Sequence, residues 1–130
     1  MYPSDCLYTK EHEWLKVEDG QCTLGITTFA QHQLGEIVFA ELPEVGQSFD
    51  ARDEIGTLES VKAVAEVYTP VAGEIIEIND SVIDDPEVLN DDPQGAGWLV
   101  KIKLSGSVDE GDLMDAAAYQ EYIGGGDDGK

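Results

Sequence analysis

Short segments in which apolar and polar residues alternate make up most of this chain, and turn-forming residues separate them. The segments Glu13–Glu18 and Gln21–Ile26 flank Asp19-Gly20, a dipeptide typical of two-residue β-hairpin turns. A two-residue period is the pattern of strands that bury one face. The pattern therefore predicts a domain built mainly from antiparallel strands.

Further strands are predicted along the rest of the chain, at Glu36–Leu42, Glu54–Ser60, Ala63–Thr69, Glu74–Asn79 and Trp98–Leu104. A short helix is predicted before this series, because Thr27-Thr28 can cap its start and Gly35 can end it. A second helix is predicted over Asp109–Ile123, where the apolar residues have helical spacing. These elements predict a β-sandwich or barrel with one early helix and one C-terminal helix.

The stretch Asp84–Gly97 is rich in Pro, Asp, Asn and Gly, which predicts a long loop with at most a helical turn at Pro86–Leu89. No linker is long enough to divide the chain. We therefore expect residues 1–123 to form a single domain, and residues 124–130 to form a flexible, Gly-rich acidic tail.

Acidic residues dominate the charge, since 28 Asp and Glu stand against 7 Lys and Arg for a formal net charge of -21. Phosphate binding needs clustered Lys and Arg, so this balance argues against nucleic acid and against an anionic membrane as partners. No apolar run approaches the ~20 residues of a spanning helix, and no signal peptide opens the chain. We therefore expect a cytoplasmic protein.

So large a surplus of negative charge strains a small compact domain by self-repulsion. At ~1 M salt the Debye length falls to roughly 3 Å, and the repulsion is largely screened. We interpret the charge as an adaptation to a high-salt cytoplasm. The alternative is an acidic face that binds a basic partner, and neither interpretation identifies a function.

The two cysteines, Cys6 and Cys22, belong to no CxxC motif and to no Cys/His cluster. We expect free thiols in a reducing cytoplasm, although sequence gives no Cα distance and leaves a bridge between them open. His12 and His32 have no cysteine partner nearby, so no metal site is predicted.

A single lysine, Lys62, occurs between Val17 and Val100. It lies with Val61 in the two-residue link between two predicted strands, where Asn-Gly or Asp-Gly would be usual. The alternative to a functional lysine is a solvated surface residue. A Schiff-base lysine needs desolvation or cationic neighbours, and neither is expected at a wet hairpin tip beside Glu59. Amide attachment of a prosthetic group needs only an exposed lysine on a recognisable turn.

Around Lys62 the sequence resembles the H proteins of the glycine cleavage system, a family of lipoyl carriers. The resemblance covers residues 8–103, with a weaker match through Tyr122. Its motifs occur in the family's order and are Tyr8-Thr9-Lys10-Glu11-His12-Glu13-Trp14, Gly25-Ile26-Thr27, Leu34-Gly35-Glu36-Ile37-Val38-Phe39, Glu41-Leu42-Pro43, Glu59-Ser60-Val61-Lys62-Ala63, Pro70-Val71-Ala72-Gly73-Glu74, Leu89-Asn90, Asp92-Pro93 and Gly97-Trp98.

The resemblance implies a mainly β, lipoyl/biotinyl-type sandwich (barrel-sandwich hybrid) of two antiparallel sheets, with residues 1–123 as the lipoyl-binding domain. It implies that Lys62 carries lipoate on its ε-amine. The chain, not itself an enzyme, would shuttle the aminomethyl group of glycine from glycine dehydrogenase (decarboxylating) to aminomethyltransferase. Dihydrolipoyl dehydrogenase would reoxidise the dithiol, and a lipoate-attaching enzyme would modify the lysine. We expect a monomer.

A cleft that shelters the loaded lipoyl arm is also implied by the resemblance. Glu13 and Glu66 match acidic positions near that cleft, where a carboxylate can hold a protonated amine, and His12 is expected nearby. Ordinary surface and turn polarity is the alternative for these three residues. Glu11 stands where some relatives have a small hydroxyl residue, so the polar lining can differ here.

Four alternative functions follow from the same residues. Biotin carriers usually place the lysine between two methionines, whereas Val61 and Ala63 flank Lys62. Lipoyl domains of 2-oxoacid dehydrogenases are shorter and typically carry Asp before the lysine. A lipoyl relay that donates lipoate to other carriers keeps the family and changes the role, and the sequence does not separate it from glycine cleavage. Retention of a lysine in a lysine-poor chain argues against an unmodified acidic interaction module.

Overall fold

Strands dominate the part of the chain that the computed structural model describes, residues 5–106 and 113–123. The strands are β1 (Leu7–Tyr8), β2 (Glu13–Glu18), β3 (Gln21–Ile26), β4 (Ile37–Glu41), β5 (Ser48–Phe49), β6 (Glu54–Ser60), β7 (Val64–Tyr68), β8 (Gly73–Ile78) and β9 (Val100–Leu104). The helices are α1 (Thr28–Leu34), α2 (Asp80–Asp84), α3 (Glu87–Asp91) and α4 (Ala116–Tyr122).

Two antiparallel sheets make up the architecture. The larger has the strand order β1-β2-β3-β9-β8-β5, and the smaller has the order β4-β6-β7. The predicted Asp19-Gly20 turn joins β2 to β3, and both of its residues have the positive φ that a type I′ turn needs. The mainly β sandwich expected from the sequence is therefore confirmed.

Most of the buried apolar side chains form one cluster, to which both sheets contribute. Leu15 and Ile102 from the larger sheet and Leu58 from the smaller one are almost completely buried in one cluster. A second cluster joins β1 and β2 to α4, and Tyr8 stacks on Tyr119 there with ring centroids 4.8 Å apart. This second cluster fixes α4 against the edge of the larger sheet.

The helical turn allowed at Pro86–Leu89 is found as the five-residue α3, whereas α2, which ends where the predicted loop begins, was not predicted. Each helix has five residues and buries one apolar side chain, Val82 in α2 and Leu89 in α3. A single buried residue gives no helical period in the sequence, and Asn79 caps α2 by accepting a hydrogen bond from the Ser81 N–H at 3.2 Å.

The C-terminal helix is shorter than predicted. It begins at Ala116, where the Asp115 carboxylate caps it by accepting a hydrogen bond from the Ala118 N–H at 2.8 Å. Before it, Met114 pairs with Tyr8 of β1 in an isolated bridge, so this part of the predicted helix is extended. The predicted start at Asp109 and the predicted tail at residues 124–130 lie outside the described residues.

Both cysteines are buried free thiols. Desolvation raises the pKa of Cys6 to about 11 and that of Cys22 to about 12. The free thiols expected from the sequence are found, and burial leaves them protonated and weakly reactive at neutral pH.

Candidate functional site

Lys62 is exposed at the tip of the hairpin that joins β6 to β7. The side chain of Ser60 holds this turn, since its Oγ accepts hydrogen bonds from the N–H groups of Lys62 at 3.2 Å and Ala63 at 3.0 Å. The Ser60 N–H also donates to the Ala63 carbonyl at 2.8 Å. A serine-based turn therefore replaces the Asn-Gly or Asp-Gly that the sequence lacks.

The segment that follows α1 braces the same turn from the side. The Val61 N–H donates to the carbonyl of Glu36 at 3.0 Å, so the tip is tied to the residue that precedes β4 as well as to its own hairpin. Gly35 has a φ of 84°, and a Cβ added there would lie 3.4 Å from the Cε of Lys62. The left-handed φ is what favours glycine here, since a Cβ at this distance would make only an ordinary van der Waals contact with the lysine stem.

A cavity of about 350 Å³ lies where β7 ends and the loop before β2 begins. The residues that line it include Thr9, Lys10, Glu13, Arg52, Tyr68 and Leu113. Four residue steps separate Val64, beside the hairpin tip, from Tyr68 at the cavity, which is about 13 Å at the rise of a β-strand. The exposed lysine and the cavity therefore lie at opposite ends of one short strand.

Glu13 is the most deeply buried carboxylate of the described residues, with 2% of its surface exposed. One carboxylate oxygen accepts a hydrogen bond from the Tyr68 N–H at 2.9 Å, and the other accepts one from the Thr9 hydroxyl at 3.1 Å. Desolvation outweighs these bonds and raises the pKa of Glu13 to about 7. The side chain is thus near its midpoint of ionisation at neutral pH.

Glu66 lies on the outer face of β7, opposite Thr57 and exposed to solvent. Because side chains alternate along a strand, Val64, Glu66 and Tyr68 share this face. The charge of Glu66 is the main cause that raises the pKa of the Tyr68 phenol. Glu66 therefore stands between the lysine tip and the cavity, but outside the cavity lining.

His12 turns away from the cavity toward α1 and α4. Its Nδ1 lies 2.8 Å from the hydroxyl of Tyr119, and that hydroxyl lies 2.8 Å from Thr27 Oγ. The His12 ring also packs against Phe29, with centroids 4.7 Å apart, and burial lowers the pKa of His12. The structure therefore places His12 where it anchors the loop that carries Glu13.

Of the residues that line the cavity, sequence reasoning identified only Glu13 as a site residue and missed, among others, Arg52 and Tyr68. Arg52 is the only arginine in the chain, and its rarity was an available signal. The backbone N–H of Arg52 donates to the Thr69 carbonyl at 2.6 Å, and the φ of Arg52, 76°, lies in the left-handed region. Tyr68 carried no signal, because its contact with Glu13 is a backbone hydrogen bond between residues 55 positions apart.

Comparison with known proteins identifies the family. The model of the family described as glycine cleavage H-protein matches residues 6–125. The chain belongs to the glycine cleavage H-protein family. Relatives named "Glycine cleavage system H protein" include one from Herpetosiphon aurantiacus, 50% identical over 93% of this chain and 92% of its own length. Another from Marinobacter nauticus is 49% identical over 93% of this chain and 94% of its own.

Similarity extends to three dimensions. A crystal structure of a glycine cleavage system H protein from Mycobacterium marinum is 38% identical to this chain and superimposes with a TM-score of 0.87. The match covers 94% of this chain and 98% of the other. Membership of the family makes this chain a lipoyl carrier of the glycine cleavage system. Among the described residues, no helix is both long and apolar enough to cross a membrane.

Proposed function

We propose that Lys62 carries lipoate in amide linkage and that the chain works as a non-catalytic carrier. The observation that carries the proposal is the hairpin tip, where an exposed lysine stands on a turn tied down by Ser60 and Glu36. An acylating enzyme needs access to the amine and a fixed backbone to recognise. A Schiff-base role is not supported, because an exposed amine lacks the desolvation that such a nucleophile requires.

The residues at the cavity suit the group that Lys62 would carry. When bound, lipoate supplies a disulfide that opens to accept a one-carbon amine unit together with two electrons. A protonated amine brought to Glu13 would favour the carboxylate form of that residue, since an opposite charge offsets its desolvation. Tyr68 and Leu113 also line the cavity, and their apolar surface would limit access of water to the loaded end.

Glu66 and His12 have different parts in this proposal. Glu66 lies on the outer face of β7, so its carboxylate would attract an ammonium that passes from the hairpin tip toward the cavity. His12 acts as a positioning residue, because its contacts with Tyr119 and Phe29 fix the loop that leads into Glu13. Neither residue needs to transfer a proton for these roles.

Four enzymes would meet this carrier in turn. We propose that a lipoate-attaching enzyme first modifies Lys62. Glycine dehydrogenase (decarboxylating) then loads the arm, aminomethyltransferase unloads it, and dihydrolipoyl dehydrogenase reoxidises it. Tethering on a monomeric carrier raises the local concentration of the disulfide at each of these active sites. We expect these encounters to take place in the cytoplasm.

The replacement Lys62→Arg tests the proposal. It keeps the positive charge but removes the amine that forms the amide, so we expect no lipoyl adduct and no glycine–bicarbonate exchange in the presence of glycine dehydrogenase. Lys103→Arg, at another exposed lysine, is the matched control and should behave as the wild type. Intact mass and peptide mapping report the adduct. Exchange activity retained by Lys62→Arg would disprove the carrier role of this lysine.

A further inference from the structure

The outer face of the small sheet carries apolar side chains in the row nearest the lysine tip. Phe39 of β4 lies opposite Glu59 of β6, and Glu59 lies opposite Val64 of β7. Leu58, the residue before Glu59 in β6, is buried. Because side chains alternate along a strand, Glu59 and its row face solvent. Phe39 is 51% exposed and Val64 is 59% exposed.

A β-bulge adds a further apolar side chain to this row. The register of β4 against β6 shifts between Ile37 and Phe39, which leaves Val38 as the extra residue. Val38 is 47% exposed, whereas Ile37 is buried. A bulge re-aims side chains, and here it presents two consecutive apolar residues outward beside the hairpin.

Lys62 thus has apolar neighbours on both sides. Val61, its partner in the turn, is 67% exposed, the largest exposed fraction among the large hydrophobic residues that the structure describes. We call Val38, Phe39, Val61 and Val64 the apolar band. Exposed apolar residues concentrated around one functional side chain indicate a contact surface rather than chance.

Carboxylates occupy the centre of the apolar band and the row behind it. Glu59 stands between Phe39 and Val64, and the next row across the sheet reads Glu41, Thr57 and Glu66. A second copy of this chain on the same face would bring like charges together, which disfavours self-association. A partner with an apolar patch and a rim of Lys and Arg would be complementary in both respects.

We propose that the apolar band is the docking surface for the enzyme that acylates Lys62, and that this enzyme presents an apolar patch with a basic rim around its active-site entrance. The inference rests on the proposed attachment of lipoate to Lys62. Acylation comes first among the steps at this lysine, so its enzyme must recognise the bare hairpin. The bulge and the Ser60 turn give it a rigid surface to recognise.

The double variant Val38→Thr, Val64→Thr tests the docking surface. Threonine keeps the branched shape and the strand preference of valine while it replaces a methyl by a hydroxyl. We expect the KM for the carrier in lipoate attachment to rise about tenfold with little change in kcat. The matched control is Val17→Thr, Val45→Thr, which alters valines that are 40% and 60% exposed but lie outside the apolar band.

Rates of lipoyl attachment are followed by intact mass, with the purified carrier, a lipoate-attaching enzyme and activated lipoate. The proposal is supported if the wild type and the control are both modified and the band variant shows a raised KM. A wild-type KM that rises with salt also supports it. Equal KM values for all three proteins would refute the docking surface while leaving Lys62 modified. No attachment to the wild type would instead refute the proposed function. A wild type that sediments as a dimer, and a band variant that sediments as a monomer, would assign the band to self-association.

Discussion

Replacement of Glu13 by Gln is expected to stabilise the protein at alkaline pH. Glutamine keeps the size and shape of the buried side chain, and its carbonyl can accept the hydrogen bond that the Tyr68 N–H donates to Glu13. Its amide group can donate to the Thr9 hydroxyl. What the substitution removes is the requirement to hold a negative charge in a site that is only 2% exposed.

The magnitude follows from the raised pKa. Burial raises the pKa of Glu13 from 4.5 to about 7, and each pKa unit corresponds to about 1.4 kcal/mol. The folded state therefore binds the proton more tightly than the unfolded state does. Its contribution to the free energy of unfolding is fully present below pH 4.5, falls as the pH rises to about 7 and is lost above it. The free energy of unfolding therefore loses about 3 kcal/mol between these two limits.

Urea unfolding at pH 4, 6 and 8, at ~1 M KCl to screen the surface charge, measures this difference. We expect the free energy of unfolding of Glu13→Gln to equal that of the wild type at pH 4. At pH 8 we expect it to be higher by about 3 kcal/mol, which corresponds to a rise of about 10 °C in Tm. The control Glu44→Gln removes the same charge from an exposed loop residue and should change little at any pH. Gains of equal size in the two variants would mean that net charge, and not burial of Glu13, sets the pH dependence.

Two further predictions concern the turn and the surface charge. Ser60→Ala removes the hydroxyl that accepts two backbone hydrogen bonds at the lysine tip, and should lower the free energy of unfolding by about 2 kcal/mol, whereas Ser48→Ala at an exposed position should not. Equal urea midpoints for the two variants would show that Ser60 does not hold the turn. The net charge of -21 predicts that Tm rises between low and high KCl, as measured by thermal unfolding. A Tm that is the same at both salt concentrations would contradict the interpretation of the charge as an adaptation to high salt.

Several parts of this protein follow from local signals in the sequence. Asp19-Gly20 allows the positive φ that a tight hairpin needs, so β2 and β3 have the bounds that the pattern predicts. Thr27 and Gly35 cap and end α1 through hydrogen bonds within a few residues of each other. Lys62 was likewise identified from its rarity and its place between two strands. In each case the cause lies within a short stretch of chain.

The tertiary fold sets which face each segment buries and which distant residues meet. α2 and α3 exist because Val82 and Leu89 enter the core, and helices of five residues are too short to show a period. Glu13 has a raised pKa because β7 and the preceding loop exclude water from it. These effects depend on burial between segments far apart in sequence, and no local pattern of residues encodes that burial.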